Sequence, residues 1–244
     1  MKHMEGVAVG LVTEVDAKLA RIKVKFPWMD PPQTSYWAPI ASLLSGHKRG
    51  LRFMPEPGDE ALVAFDRGEF DHPYIVGFLW NGADESPDDV KTNRLLVTPG
   101  GHQLRFEDKA GERRIVLKTA DGHQLILDDA GKVTLATKAG GKVTLDDAPG
   151  RATVEASHNR ITLGPEGITI DVAAGTLNIK STAVTNLQAE GVMNIQAAGL
   201  VNLTTGLLNV TTPLATFSGV VMANTVVATS VVSSVYSPGL GNLL

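Results

Sequence analysis

Over the first third of the chain, apolar and polar positions alternate with the period of two that marks half-buried β-strands. Residues 6–12 and 19–26 read as strands around a turn at Asp16-Ala-Lys18, with Ile22, Val24 and Phe26 on one face and Lys23 and Lys25 on the other. Residues 27–32 read as a loop. Further strands are expected at 36–40, 51–54, 60–65 and 72–80, with loops or turns at 45–50, 55–59 and 67–71. Five or six short strands punctuated by Gly and Pro, without a helical period, predict a small barrel such as the OB-fold over residues 1–82. Residues 83–94, including Asp88 and Asp89, read as a linker.

From Leu95 the chain becomes a ladder of short strands. Apolar pairs recur at Leu104/Phe106, Ile115/Leu117, Leu125/Leu127, Val133/Leu135, Val143/Leu145, Ile161/Leu163 and Ile168/Ile170, with Gly- and Asp-rich turns between them. Gly101-His-Gln-Leu104 returns as Gly122-His-Gln-Leu125, and Gly131-Lys-Val-Thr-Leu135 as Gly141-Lys-Val-Thr-Leu145. Residues 95–174 are thus a degenerate β-repeat with a spacing near ten.

The spacing tightens beyond Gly175. Asparagine stands at 178, 186, 194, 202 and 209, with Gly or Ala three positions before it and an aliphatic residue directly after. Five copies in phase mark an internal repeat. Each copy reads as a very short strand, with the preceding Gly permitting a tight corner. Leu177, Ile179, Leu187, Met193, Ile195, Val201, Leu203, Leu208 and Val210 are expected to face a common core, opposite the asparagines. Residues 175–235 are assigned to this shaft, although the register blurs after Val210 and Pro213 interrupts it. Residues 236–244 end the chain with turn chemistry and leucines.

Such strands cannot close a core alone. A self-contained coil with three walls would need roughly 24 residues per rung, leaving the asparagine repeat fewer than two rungs. Three chains winding together close one rung per repeat, bury the aliphatic positions on one axis and leave no lateral edge strand. The expectation is therefore an all-β protein: an OB barrel followed by an intertwined trimeric β-helix or β-prism.

Charge sharpens this division. The 244 residues carry a net charge of -4, giving no global basic field for nucleic acid, and they include no cysteine. After Asp171 only Lys180 and Glu190 are charged. A surface built from neutral Asn, Thr, Ser and Gln is expected there. The opening residues lack the apolar core of a signal peptide, and no apolar run reaches membrane-helix length.

Candidate chemistry is sparse. His102 and His123 hold equivalent repeat positions but lack carboxylate or Cys neighbours at ligand spacing, so no metal site is assigned. Glu56, Asp59 and Glu60 flank a Pro-Gly turn and read as architecture rather than paired catalytic carboxylates. Gly140-Gly-Lys142 lacks the Ser/Thr and helix of a phosphate loop. His47, Lys48 and Arg49 with Trp28, Tyr36 and Trp37 form a candidate oligonucleotide patch, which the acidic balance disfavours. No Ser-His-Asp arrangement stands out. The expectation is no enzyme activity, no cofactor and no nucleic acid.

One stretch carries a resemblance: Tyr36-Trp-Ala-Pro39, then Leu51-Arg-Phe-Met-Pro-Glu-Pro-Gly-Asp-Glu60, then His72-Pro-Tyr-Ile-Val-Gly-Phe-Leu-Trp80. It resembles the OB domain of the phage baseplate spike family. This family includes gpV-type tail spikes, the spike portion of type VI secretion VgrG proteins, and spikes of extracellular contractile injection systems. The resemblance extends over the chain, because the family continues into a repetitive β-helix. It implies a homotrimeric spike that pierces an envelope when a sheath contracts, contacting the target membrane transiently. The barrel would sit on a separate hub protein of the gp27 type, and a PAAR-type tip protein would dock on Tyr236, Pro238, Leu240, Leu243 and Leu244. Assembly is expected in the bacterial cytoplasm, with ejection on contraction. The iron-binding His-x-His found near the end of some members is missing, since no His follows His158. The alternative is a trimeric β-fibre or adhesin for host binding; an OB-fold nucleic-acid binder is the third reading.

Overall fold

The computed structural model describes residue 4 and residues 6–235. The five expected tip-docking residues, Tyr236, Pro238, Leu240, Leu243 and Leu244, lie outside the described residues. The chain divides into two units, Met1–Asn178 and Ile179–Leu244.

The first unit opens with a barrel. Its sheet holds β1 (Val7–Asp16), β2 (Arg21–Phe26), β3 (Gln33–Thr34), β4 (Ala38–Pro39), β7 (Glu60–Phe65) and β8 (Pro73–Phe78). The path is β3-β2-β1-β7-β8 with β4 on β2, and a parallel bridge from Ile40 to Ile75 ties β8 back across. Alternation decides what is inside. Ala8 and Val12 of β1, Ile22, Val24 and Phe26 of β2, Ala61, Val63 and Phe65 of β7, and Ile75 of β8 are buried together. Phe26 packs on Phe65 and Phe70 with centroids 5.9 and 5.8 Å away. Gly10 has to be glycine for space. A Cβ there would lie 2.5 Å from Val24 Cγ1 and 2.7 Å from the Lys25 carbonyl.

Three local expectations differ from the fold. β1 continues to Asp16 instead of ending at Val12, because a register shift between Val12 and Glu14 keeps it paired with β2. The expected loop at 45–50 contains a hairpin, β5 (Ser45–Gly46) with β6 (Arg49–Gly50), turned by Lys48 at a φ of 54°. The expected strand at 51–54 has no ladder partner among the described residues.

Nine further strands follow: β9 (Asn93–Val97), β10 (Gln103–Glu107), β11 (Arg114–Lys118), β12 (Gln124–Asp128), β13 (Lys132–Ala136), β14 (Lys142–Asp146), β15 (Arg151–Ala156), β16 (Asn159–Gly164) and β17 (Gly167–Val172). They pair antiparallel in chain order, a meander without a crossover. Before it, the Asp88 carboxylate accepts hydrogen bonds from Asn93 Nδ2 (2.7 Å) and the Val90 N–H (2.8 Å), ordering the entry into β9.

After Val172 the pairing stops. Among the described residues from 173 to 235 there is no strand and no backbone–backbone hydrogen bond. What persists is a periodic bend: 173–175, 182–183, 190–191, 198–199, 206 and 213, then 218–219, 224, 229 and 234–235. The corner step is about eight residues as far as Gly206 and contracts to five by Asn224. Pro213 occupies a corner of this series, so it does not interrupt the register; its fixed φ suits a bend.

Candidate functional surfaces

Strand register turns the alternation of the meander into two continuous columns. In the first, Leu104, Leu117, Leu125, Leu135, Val143, Val154, Ile161 and Ile170 stand opposite one another from β10 to β17. In the second, Phe106, Ile115, Leu127, Val133, Leu145, Ala152, Leu163 and Ile168 do the same. Most of these side chains are more than a third exposed. A contiguous apolar face of this size is a contact surface in the making.

The reverse face carries Arg105, Val116 and Ile126 on its earlier strands, with the buried Arg105 Nε lacking a hydrogen-bond partner among the described residues, and becomes polar from Thr134 onward. Thr134, Thr144, Thr153, Thr162 and Thr169 form one cross-strand row over five strands, where β-branched hydroxyl side chains favour the pleat. Ion pairs flank it: Lys132 with Asp146 at 3.2 Å, Arg160 with Glu155 at 2.7 Å, and Arg114 with Glu107. Each such surface pair contributes little singly. Together they mark the polar part of this face as the one meant for water.

The sequence-level repeats become turns with one shared geometry. The Thr98 Oγ1 accepts from the His102 N–H, Thr119 Oγ1 from the His123 N–H, and Thr137 Oγ1 from the Gly141 N–H, at 3.0–3.1 Å. Gly101, Gly122 and Gly140 take a positive φ in these turns. His102 Nδ1 accepts from the Ala120 N–H at 3.3 Å, so this histidine joins neighbouring turns. Both His102 and His123 line a shallow cleft with Leu96, Leu104, Leu117 and Leu125, on the apolar side of the sheet edge. Among the described residues no group of three potential metal ligands converges.

The other candidates make contacts of their own. The Asp59 carboxylate accepts from the Glu56 N–H at 2.9 Å, closing the Pro-Gly turn. Trp37 lies under the Arg21 guanidinium and the Lys23 ammonium at 5.1 and 4.8 Å. Those cations are already paired with Asp16 and Glu14, each at 3.0 Å. Trp28 donates its indole N–H to the Val9 carbonyl at 2.8 Å. Among the described residues no hydrogen bond or ring contact joins His47, Lys48 or Arg49 to these rings, and Trp28 and Tyr36 are 56% and 61% exposed.

In the corner repeat, Leu177, Met193, Val201 and Leu208 are 48–60% exposed, whereas Val184, Val192, Leu200 and Leu207 are 70–79% exposed. Ile179, Leu187, Ile195, Leu203 and Val210 are likewise left open by their own chain. Val184, Val192, Leu200 and Leu207 stand two residues before Asn186, Asn194, Asn202 and Asn209, hence on the asparagine side of an extended chain. That side is therefore not the purely neutral-polar surface expected. The expected role of the corner glycines needs correction as well. Only Gly175 takes a positive φ; at Gly191, Gly199 and Gly206 φ is not positive, and an added Cβ would meet nothing within 4 Å. Neither the cross-strand columns nor the five-residue step was found in the sequence. Its trace was the pairs Val221/Met222, Val226/Val227 and Val231/Val232, each five residues from the next.

With this geometry in place, comparison with known proteins is informative. Residues 8–80 match the family model for the type VI secretion system/phage-baseplate injector OB domain. The chain is 33% identical over 109 residues to the type VI secretion system spike protein VgrG3 of Vibrio cholerae, covering 40% of this chain and 11% of that protein. It is 33% identical over 108 residues to the spike protein VgrG5 of Pseudomonas aeruginosa, 39% of this chain and 14% of the relative. It is 31% identical over 109 residues to the actin cross-linking toxin VgrG1 of Vibrio cholerae, 40% of this chain and 10% of the toxin. The shared stretch is thus a small part of each relative. No helix among the described residues is long and apolar enough to cross a membrane.

Proposed function

We propose that this chain, whose barrel belongs to the VgrG-like baseplate spike family, is the central spike of a contractile injection system and works as a homotrimer. The observation that carries the reading is the pair of exposed apolar columns on the meander, followed by a corner repeat that forms no ladder among the described residues. Three copies supply what one lacks. Three apolar faces turned toward a common axis bury both columns, and three interleaved repeats give each extended segment a neighbour to hydrogen-bond. The small residues at Ala183, Gly191, Gly199 and Gly206 then leave room for another chain at each corner. The polar part of the reverse face, with its threonine row and ion pairs, remains in water.

The work of such a spike is mechanical. A shaft held by backbone ladders between chains resists bending, and one nearly free of charge crosses hydrocarbon at small desolvation cost. The barrel is the base, seated on a hub protein of the gp27 type, and the C-terminal residues Tyr236, Pro238, Leu240, Leu243 and Leu244 dock a PAAR-type tip protein. Assembly takes place in the bacterial cytoplasm and contraction ejects the spike. No catalytic step enters this reading; the actin cross-linking named for one relative belongs to a protein of which this chain matches 10%.

Light scattering on the purified chain tests the core of the proposal. A species of three times 25.8 kDa is expected, and a monomer overturns it. Deleting residues 236–244 tests the tip: the trimer persists while co-purification of a PAAR-type protein is lost. Unchanged co-purification places the dock elsewhere.

A further inference from the structure

Charge in the first unit is segregated along the chain. No acidic residue lies between Asp30 and Glu56, and no Lys or Arg lies between Arg67 and Lys91. The first of these stretches contains the β5–β6 hairpin, with Lys48 and Arg49 at its turn and Arg52 just beyond it. The second ends in the linker, which carries Asp84, Glu85, Asp88 and Asp89.

Both segments are held by hydrogen bonds of their own. Ser42 Oγ donates to the Leu51 carbonyl at 2.7 Å and the Leu51 N–H to the Leu44 carbonyl at 3.0 Å, closing the hairpin stem. In the linker, Asn81 Oδ1 accepts from the Ala83 and Asp84 N–H groups at 3.0 and 2.8 Å, and Asn81 Nδ2 donates to the Asp84 carboxylate at 3.1 Å. Asp88 is engaged by Asn93 and Val90. Glu85 and Asp89 have no such role. Among the described residues, these two carboxylates and the Lys48 and Arg49 cations enter no side-chain hydrogen bond and no ion pair, and all four are exposed.

We propose that the basic hairpin of one copy seats on the acidic linker of the next, with Lys48 and Arg49 facing Glu85 and Asp89. The inference rests on the trimeric reading and names a contact within it. Charge complementarity selects a second copy as the occupant. The chain carries two unpaired cations on one ordered segment and two unpaired anions on another, and no ion pair joins the segments within one chain. A three-fold assembly gives every hairpin one linker, so three equivalent contacts close a ring with no segment left over. Hairpin against hairpin, or linker against linker, would set like charges together. The pairing therefore fixes which segment of one barrel faces which segment of the next. Exposed pairs add little affinity singly, so the contact orders the copies around the axis while the apolar columns hold them together.

Zero-length carbodiimide coupling, which joins an amine to a carboxylate in direct contact, tests this on the full-length chain at low salt, alongside light scattering. Wild type is expected to be trimeric and to give covalent dimers and trimers on denaturing gels, with Lys48 linked to Glu85 or Asp89 in peptides digested from those bands. Lys48→Gln, or Glu85→Gln with Asp89→Gln, should remain trimeric and lose these linked peptides at least tenfold. Raising the salt to about 1 M, where screening acts within about 3 Å, should lower their yield in wild type. Lys48→Glu with Arg49→Glu should lower the urea midpoint of the trimer, and adding Glu85→Lys with Asp89→Lys to the same chain should restore it. The proposal is overturned if wild-type trimers yield no link from Lys48 to the linker, which leaves the hairpin to a different protein. It is equally overturned if the link is confined to the monomer band, or if the reversed linker does not rescue the reversed hairpin. A monomeric wild type removes the trimeric reading itself, and this contact with it.

Discussion

Leu135 offers a direct measurement of the apolar face. It sits mid-sheet in the first column, opposite Leu125 on one side and Val143 on the other, and is 53% exposed in the single chain. Fully burying a leucine contributes about 1.5–3 kcal/mol, so covering its open half on trimer formation contributes about 1 kcal/mol per chain. Leu135→Asn removes that term three times over, about 3 kcal/mol per trimer, which corresponds to roughly a hundredfold weaker association. An amide left without a partner at the interface adds to this cost, so a hundredfold is the lower bound. The assay is light scattering across a urea series, recording where the trimer mass is lost. Thr144→Asn, on the polar face of the adjacent strand, is the control and should leave that midpoint unchanged. An unchanged midpoint for Leu135→Asn, or an equal shift in both variants, refutes the assignment of the faces.

Other expectations follow from local geometry. Gly10→Ala forces a Cβ against Val24 and the Lys25 carbonyl and should destabilise the barrel by about 1–3 kcal/mol, visible as earlier thermal loss of Trp28 fluorescence, without changing shaft association. The Asp16 carboxyl is held below its ordinary value of 3.8, foremost by the Leu19 N–H and then by Arg21. The stability it contributes is present above that ordinary value and is lost as pH falls through its folded pKa. Asp16→Asn should accordingly flatten the acid limb of the barrel's stability below pH 4, measured by denaturant melts. A Cβ at Gly199 meets nothing within 4 Å in its own chain, so Gly199→Leu should leave the barrel's unfolding unchanged while weakening the trimer in light scattering.

How far the sequence reveals this architecture depends on which contacts shape each part. The barrel was readable because Ile22, Val24 and Phe26 are buried by their own chain, and that burial imprints strict alternation. The hairpin at Ser45–Gly46 and Arg49–Gly50 was missed because it has no apolar face. It is set by backbone geometry at Lys48 and by the Ser42 hydroxyl, which bonds the carbonyls of Leu44 and Leu51. The meander's strands were visible as apolar pairs, yet their columns depend on register across hairpins, which pair spacing alone does not fix. Of the candidate residues, Asp59 and Trp37 have chemistry that looks catalytic or stacking in one dimension. Their hydrogen-bond and ion-pair partners reveal turn closure and packing only in three.

The corner repeat reverses the usual relation between pattern and burial. Its aliphatic positions recur as regularly as any core, but the single chain leaves them open, and its corner glycines are small where the chain has space to spare. A pattern maintained at this regularity without a burden inside the chain points to a constraint supplied from outside it. On the trimeric reading proposed above, that constraint is other copies of the same chain.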